Sequence, residues 1–172
     1  MRTCKTCKVK FKPTYSSVQM CCSPKCAIEY DKKLQAKKWK KEKKAIKESL
    51  KTHSDHVREL QVIFNKFIRL RDRDKGCISC GIPLDKKYDA GHYYSCGSYP
   101  ELRFEEDNVH GQCVYCNQHK HGNLIEYGKR LPERIGEVNF HVLDVKKNIN
   151  QKYSIPELIE LKVIYKDKIK QL

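Results

Sequence analysis

The sequence predicts an α+β fold made of two small modules, each held together by a metal ion. Two observations lead to this prediction. Most of the ten cysteines fall into closely spaced pairs, and stretches with helical apolar periodicity flank the second set of pairs. Only 39% of the 172 residues are hydrophobic and 33% are charged, so the hydrophobic core must be modest. Small cores of this kind usually need a disulfide or a metal as a staple.

The predicted organisation has three parts. Residues 1–30 form a zinc knuckle, residues 31–52 a lysine-rich helical linker, and residues 53–172 a zinc-stapled domain. No segment has the apolar run of a signal peptide or a membrane span, so we expect a cytosolic protein with no membrane partner. Because thiols stay reduced in the cytosol, paired cysteines there indicate metal binding rather than disulfides.

The first cysteine set consists of Cys4-x2-Cys7 and Cys22-x3-Cys26, with 14 residues between the pairs. Four thiolates at this spacing suit tetrahedral zinc, because each tight turn places two sulfurs on one side of the ion. Cys21 competes with Cys22 for the third position. The run MCCSPKC resembles the FCS-x-x-C knuckle of treble-clef zinc modules, and that resemblance implies that Cys22 and Cys26 are the ligands. A folding role and a DNA-contacting role both stay open.

The lysine-rich segment is predicted to be a solvated helix, because it lacks glycine and proline and consists mostly of good helix formers. Residues 31–51 hold ten lysines against three acidic residues, in a chain of net charge +15. A balance this basic favours a polyanionic partner, with nucleic acid ahead of an acidic membrane surface. A merely soluble spacer is the alternative. The candidate DNA-binding residues are Lys37, Lys38, Lys40, Lys41, Lys44 and, further along the chain, Lys120.

Two further helices are predicted to surround the second module. Residues 55–72 carry a broad apolar face at helical spacing. Near the C-terminus, Ser154 and Glu157 form a capping-box pattern with Pro156 at the start of a second helix. The apolar residues of these helices are Val57, Leu60, Phe64, Phe67, Ile68 and Leu70 in the first and Leu158, Leu161, Tyr165, Ile169 and Leu172 in the second.

The second cysteine set consists of Cys77-x2-Cys80 and Cys113-x2-Cys116, which is a strong indication of zinc. The 32 residues between these pairs exceed the short hairpin that a structural zinc ribbon needs. The insertion carries groups able to bind metal or move protons. These groups are Asp89, His92, Asn108 and His110. Cys96 lies outside both sets and is expected to be a free thiol.

Metal-assisted hydrolysis of a phosphodiester needs a base that activates water and a cation that neutralises developing charge. His92 suits the base because imidazole titrates near neutral pH, and Asn108 is expected to hydrogen-bond to its ring. On the helix predicted after Cys116, Asn117 and His121 lie four residues apart and therefore share a face. Both could bind a Mg²⁺ or Mn²⁺ ion, to which Asp89 would add an oxygen ligand.

Three alternatives remain open for this second metal and its base. Either His119 or Asn123 could replace His121 as a ligand. His110 is a reserve candidate that would share a face with Asn108 if that stretch is a strand.

The order of these residues resembles that of the HNH, or His-Me finger, endonucleases. The run NVHGQCVYCN is similar to the N-L-x-x-L-C-x-x-C-N stretch of that family. The runs YDAGHYYS, PELRFEEDNVHGQCVYCN and CSPKCA resemble the NinG (Rap) recombination proteins of bacteriophages, over nearly the whole chain. The resemblance implies a small zinc-stapled ββα-metal (HNH-like) domain with flanking helices, after a treble-clef-like knuckle.

The resemblance also implies an activity, that of a nuclease selective for branched DNA such as Holliday junctions or D-loops. Such a nuclease would act in the bacterial host cytosol and leave 5′ phosphates. Symmetric nicking of a junction favours a homodimer. One position departs from the pattern. Many HNH enzymes place a metal ligand immediately before the base, where this chain has Gly91, so Asp89 would need a bulge at Ala90-Gly91 to serve instead.

Two rival functions follow from the same sequence. The first is a non-catalytic zinc protein that binds DNA or recruits another recombination factor. The second is an RNA-binding module, whose usual sign, exposed aromatic residues on an RNP-type strand, is missing here.

Overall fold

The computed structural model describes residues 1–149 and 152–172, which form two compact units. The first unit spans Met1–Lys51 and the second spans Thr52–Leu172. The predicted α+β class is confirmed, with five helices and two small sheets among the described residues. None of the described helices is long and apolar enough to cross a membrane.

The first unit is a small antiparallel hairpin followed by one long helix. Strand β1 (Arg2–Thr3) pairs with β2 (Lys10–Phe11), and helix α1 runs over Pro24–Ser49. Ser23 caps α1, because its side chain accepts a hydrogen bond from the Cys26 backbone N–H at 3.3 Å. The predicted boundary between knuckle and linker at residue 30 therefore falls inside a helix that already contains Cys26.

The second unit is framed by two capped helices that pack against each other. Helix α2 (His53–Arg71) begins at a capping box formed by Thr52 and Asp55, and α5 (Ile155–Gln171) begins at the predicted capping box of Ser154 and Glu157. Their apolar faces meet in a buried cluster, as the periodicity predicted. Its members are Leu60, Phe64, Phe67, Ile68, Phe104, Val109, Leu158 and Tyr165.

An antiparallel hairpin lies at the centre of the second unit. Strand β3 (Tyr88–His92) pairs with β4 (Val109–Cys113), in a register that sets Asp89 opposite Gln112 and His92 opposite Val109. Two short 3₁₀ turns, Pro100–Leu102 and Glu106–Asn108, lie in the connection between the strands. Helices α3 (Leu124–Ile135) and α4 (Glu137–Lys146) follow, and they contribute to a second buried cluster. That cluster consists of Ile78, Leu102, Tyr127, Leu131 and Leu143.

The helix predicted after Cys116 is broken. A single π-helical turn covers Tyr115–His119, and the chain then passes through three residues of positive φ, His121 at 48°, Gly122 at 89° and Asn123 at 44°. Such backbone cannot continue a right-handed helix, so α3 starts separately at Leu124. The prediction that Asn117 and His121 share one face of a helix is therefore wrong.

Candidate functional site

The first cysteine quartet brings Cys4, Cys7, Cys22 and Cys26 together, with all four sulfurs within 4.8 Å of one another. The Cys7 and Cys22 sulfurs are 3.5 Å apart and those of Cys22 and Cys26 are 3.7 Å apart. Tetrahedral zinc with Zn–S bonds of about 2.3 Å needs sulfurs about 3.8 Å apart, so this donor set fits the ion. Cys21 lies outside the quartet, with its sulfur near the Thr6 hydroxyl at 3.9 Å.

The second quartet consists of Cys77, Cys80, Cys113 and Cys116, and it meets the same distance limit. The Cys80 and Cys113 sulfurs are 3.8 Å apart. Two backbone N–H groups donate to its sulfurs, from Cys113 to Cys77 at 3.3 Å and from Cys116 to Cys113 at 3.4 Å. Such donors stabilise the thiolate form that a metal requires. Both quartets could therefore hold zinc, as predicted.

Asn123 belongs to the second quartet's surroundings and not to a separate metal site. Its side-chain amide donates to the Cys116 sulfur at 3.5 Å. The left-handed backbone at Asn123 directs the side chain back toward the π-helical turn that precedes it. Asn123 was an alternative to His121 as a catalytic ligand, and its amide is already used beside a thiolate.

Beside this quartet, the structure brings together Asp89 and Asn117, two of the residues predicted to bind a catalytic ion. The Asn117 amide donates to Asp89 Oδ2 at 2.9 Å, and the Gln118 amide donates to the same oxygen at 2.8 Å. Gln118 was not predicted, because nothing in the spacing indicates that a π-helical turn points two successive side chains at β3. This group offers one carboxylate and two amide oxygens.

The side chains of Asp89, Asn117 and Gln118 supply a single ionisable metal ligand. Among residues 1–149 and 152–172, the two cysteine quartets are the sole clusters of three or more His, Cys, Asp or Glu side chains able to share an ion. Magnesium is commonly held by one or two carboxylates and keeps several of its waters. These three residues could therefore contribute ligands to a hydrated divalent ion, and they do not enclose one.

His92 ends β3 with its ring fixed by a backbone carbonyl. Its Nε2 lies 3.0 Å from the Arg103 carbonyl oxygen, which can only accept, so Nε2 carries the proton and Nδ1 presents a lone pair. No described residue hydrogen-bonds to Nδ1. Burial lowers the pKa of His92 below its ordinary 6.5; the hydrogen bond to Arg103 opposes that shift and the Arg103 charge adds to it. The ring is therefore neutral at pH 7, as a general base requires.

Asp89 and His92 lie on opposite faces of β3. Every residue from Tyr88 to His92 has a partner in β4, so the bulge predicted at Ala90-Gly91 is absent and side chains alternate regularly. Ala90 packs against the α2–α5 cluster, and His92 shares its face. At about 3.4 Å per residue, the Cα atoms of Asp89 and His92 are about 10 Å apart. The bulge is unnecessary because Asp89 reaches Asn117 without it.

Asn108 holds the loop between the strands and does not contact the His92 ring, so the predicted hydrogen bond between them is wrong. The side chain is 0% exposed. Its amide donates to the carbonyl oxygens of Tyr94 and Leu102, both at 3.0 Å, and its oxygen accepts from the Tyr94 N–H at 2.8 Å. Asn108 thus fixes the path of the chain from His92 to Arg103, and through it the carbonyl that orients the base.

The side chain of Gln112 leaves room only for a glycine at position 91. The Gln112 amide donates to Ser79 Oγ at 2.6 Å and to the Gly122 carbonyl oxygen at 2.5 Å, which directs Oε1 toward Gly91. A Cβ on residue 91 would lie 2.1 Å from that oxygen. Gln112 Oε1 is buried without a hydrogen-bond partner in the described part of the chain. The space that a side chain at position 91 would need is therefore filled by Gln112.

His110 is enclosed and serves the fold. Tyr127 donates its hydroxyl proton to the Gly91 carbonyl oxygen at 3.1 Å, so it accepts from His110 Nδ1, also at 3.1 Å. Burial, aided by the charge of Arg71, lowers the pKa of His110 to about 3. The ring is neutral and out of reach of a substrate, which removes His110 from the candidates for the base.

The candidate DNA-binding lysines of α1 are all exposed, and no residue of that helix is buried. At 100° per residue, Lys37, Lys40, Lys41 and Lys44 share one side of the helix. Lys38 lies beyond that side and approaches Glu42 at 3.9 Å. Lys120 follows the π-helical turn, with Nζ 5.1 Å from the centre of the Tyr115 ring.

Taken together, these features define a small α+β protein with two four-cysteine sites that could each hold zinc. The family model of the Bacteriophage Lambda NinG protein matches residues 1–172, and the chain belongs to this family. It is 38% identical to Protein ninG of Escherichia phage lambda and 38% identical to Protein ninG of Escherichia phage 933W. It is 36% identical to Protein ninG of Salmonella phage P22, and each comparison covers 99% of this chain and 93% of the relative. No solved structure matches the chain.

Proposed function

We propose that this protein is a metal-dependent DNA endonuclease that acts on branched intermediates of phage recombination, such as Holliday junctions or D-loops. The observation that carries the proposal is the hairpin β3–β4. One strand of it ends in a neutral histidine of fixed tautomer and also carries the carboxylate that meets Asn117. The HNH-like order of the same residues in the sequence supports the same chemistry.

In this mechanism His92 Nδ1 accepts a proton from the attacking water, which adds to phosphorus as the bond to the 3′ oxygen breaks. Arg103 holds the ring through its carbonyl oxygen, so the lone pair keeps one direction. A divalent ion held by Asp89 and Asn117 would supply positive charge for the departing 3′ oxygen. The departing 3′ oxygen takes a proton from solvent water and His92 later returns its proton to solvent, so the products are a 3′ hydroxyl and a 5′ phosphate.

Binding to DNA is attributed to electrostatics in this proposal. The net charge of +15 and the lysine side of α1 would neutralise phosphates and release counterions. The zinc ions would hold the two modules folded and carry no chemistry. Selectivity for branched DNA and a homodimer that nicks twice come from the family resemblance and from the symmetry of a junction.

The test is cleavage of a labelled four-way junction with magnesium or manganese, comparing wild type with His92→Ala and the exposed-histidine control His141→Ala. We expect His92→Ala to lower kcat by about 10²–10⁴-fold, as loss of a general base does, and His141→Ala to change little. In wild type, kcat should rise with pH through a His92 pKa that lies below the ordinary 6.5. Cleavage by His92→Ala at the wild-type rate would refute this base.

A non-catalytic DNA-binding zinc protein is the second candidate. The observation in its favour is the absence of a third cluster of three ionisable ligands in the described residues. That function predicts tight junction binding without cleavage in either metal, and equal binding by wild type and His92→Ala.

A further inference from the structure

Tyr115 is an exposed aromatic side chain on the π-helical turn that also carries Asn117. It is 60% exposed, and it is the one aromatic residue among the exposed large hydrophobic residues of the second unit's described part. The other tyrosines there pack, as Tyr127 does in the core. An exposed ring of this kind offers a free face for stacking.

The surroundings of Tyr115 form a small aromatic platform with a positive charge. The ring of His119 lies 6.0 Å from that of Tyr115, tilted by 38°, and Lys120 Nζ is 5.1 Å from the Tyr115 ring centre. We call Tyr115, His119 and Lys120 the aromatic platform. Its two rings offer an apolar face, and Lys120 offers an ammonium group at the edge of that face.

The backbone that carries the platform is held in place by its neighbours. Cys116, the residue after Tyr115, belongs to the second quartet, and Asn117, the next residue, donates to Asp89. Tyr115, Cys116 and Asn117 lie in one π-helical turn, whose end is fixed where the Lys120 N–H donates to the Tyr115 carbonyl oxygen at 3.0 Å. The platform is therefore carried by a turn that the second quartet holds.

The chemistry of the platform matches an unpaired nucleobase. Aromatic rings stack on the π-face of any base, and a nearby cation binds the adjoining phosphate. In a regular duplex each base is already stacked on both sides, so only a base at a branch or a single-stranded end has a free face. The platform therefore distinguishes branched from regular DNA without reading sequence.

Resting on the proposed nuclease function, we infer that Tyr115 and His119 stack an unpaired base at the branch point while Lys120 binds its phosphate. These three residues select branched substrates, separately from the residues that cut. The lysines of α1 would bind any DNA, and the platform would supply the preference for branches.

The experiment uses a junction with 2-aminopurine as an unpaired base at the branch, in zinc-containing buffer with no added magnesium, so that the junction stays intact and zinc stays bound. Stacking on the platform quenches the fluorescence of that base. We expect wild type and Tyr115→Phe to quench, and Tyr115→Leu to lose the quenching and bind the junction roughly 5- to 150-fold more weakly, the range that loss of one stacked base gives. The exposed tyrosine of the first unit supplies the control, Tyr15→Leu, which should behave as wild type.

Two results would overturn the inference. One is undiminished quenching by Tyr115→Leu; the other is an equal loss of affinity for a fully paired duplex. His92→Ala separates this inference from the nuclease proposal. If that variant quenches normally and wild type never cuts, the stacking inference is supported and the nuclease proposal is refuted. If wild type cuts and Tyr115→Leu binds the branch as well as wild type does, the nuclease proposal is supported and the stacking inference is refuted.

Discussion

In the first unit the cysteine quartet stands almost alone. No residue of the 26-residue helix α1 is buried, and the buried side chains of the unit are Cys4 and Cys21. In the second unit an equivalent quartet adjoins two hydrophobic clusters and a network of buried polar groups around the hairpin. A cysteine quartet therefore supports the whole fold of the first unit, whereas the quartet of the second unit supports only the local geometry around it.

This difference teaches where each unit's stability comes from. Burying an apolar side chain contributes about 1.5–3 kcal/mol, so two buried cysteines cannot order a module. Structural zinc in small modules contributes apparent binding energies of about 10–16 kcal/mol. We expect the first unit to depend on metal and the second to keep much of its core without it. The predictions below test this contrast, starting with the largest effect.

The largest effect is expected from removing one ligand of each quartet. Cys7→Ser should abolish amide-exchange protection through residues 1–23 and leave the second unit unchanged. Cys80→Ser should remove protection from β3, β4 and the π-helical turn, while α2 and α5, joined by their own apolar cluster, stay protected. Hydrogen exchange read by mass spectrometry measures both. Protection of the first unit that survives Cys7→Ser in zinc-depleted buffer would contradict the contrast.

The next effect is pH-dependent and belongs to the second unit. His110 has a folded pKa of about 3, below the ordinary 6.5. The stability that comes from burying its neutral ring is therefore fully present above pH 6.5 and is lost as the pH falls from 6.5 toward 3. At 1.36 kcal/mol per pKa unit, about 2 kcal/mol should be lost between pH 6.5 and pH 5. Denaturant unfolding of wild type and His110→Gln over this range should show the slope in wild type alone. Parallel curves of unfolding free energy against pH for the two proteins would contradict this prediction.

A comparable effect tests the packing between Gly91 and Gln112. Gly91 has no positive φ, so an alanine there meets no backbone strain and only the Gln112 oxygen opposes it. We expect Gly91→Ala to cost about 1–3 kcal/mol, as overpacking does. In the Gly91→Ala/Gln112→Ala double variant, the two changes should cost less than their sum, because the clash is gone. Additive costs in chemical unfolding would show that Gln112 does not set the requirement for glycine.

The smallest effect concerns the lysines of α1. Each phosphate contact contributes about 0.9 to the slope of log affinity against log salt concentration. Replacing Lys40 and Lys44 by glutamine should therefore lower that slope by about 1.8. The control removes the same charge from exposed positions of α5, through Lys166→Gln and Lys170→Gln, and should leave the slope nearly unchanged. Equal slopes for the two double variants would mean that the lysines of α1 do not bind DNA phosphates.

Much of the architecture could be predicted because its signals are local. The apolar periodicity of α2 and α5, the capping box at the start of α5 and the grouping of the cysteines into two quartets are confirmed. The helices and the cysteine pairs rest on short spacing along the chain, where neighbours in sequence are neighbours in space. The break at Lys120–Asn123 was missed, although His121, Gly122 and Asn123 are of the residue types most often found at positive φ and their succession indicates it.

The sequence by itself determined the two cysteine quartets that could hold zinc, the basic charge and the membership of the NinG family, because these depend on which residues are present and at what spacing. Only the tertiary structure decided that Arg103 and not Asn108 holds the His92 ring, that Gln118 joins Asp89, and that Gln112 fills the space beside Gly91. These are contacts between distant segments, and their partners are set by how the loop and the π-helical turn pack on the hairpin. Spacing along the chain carries no information about that packing.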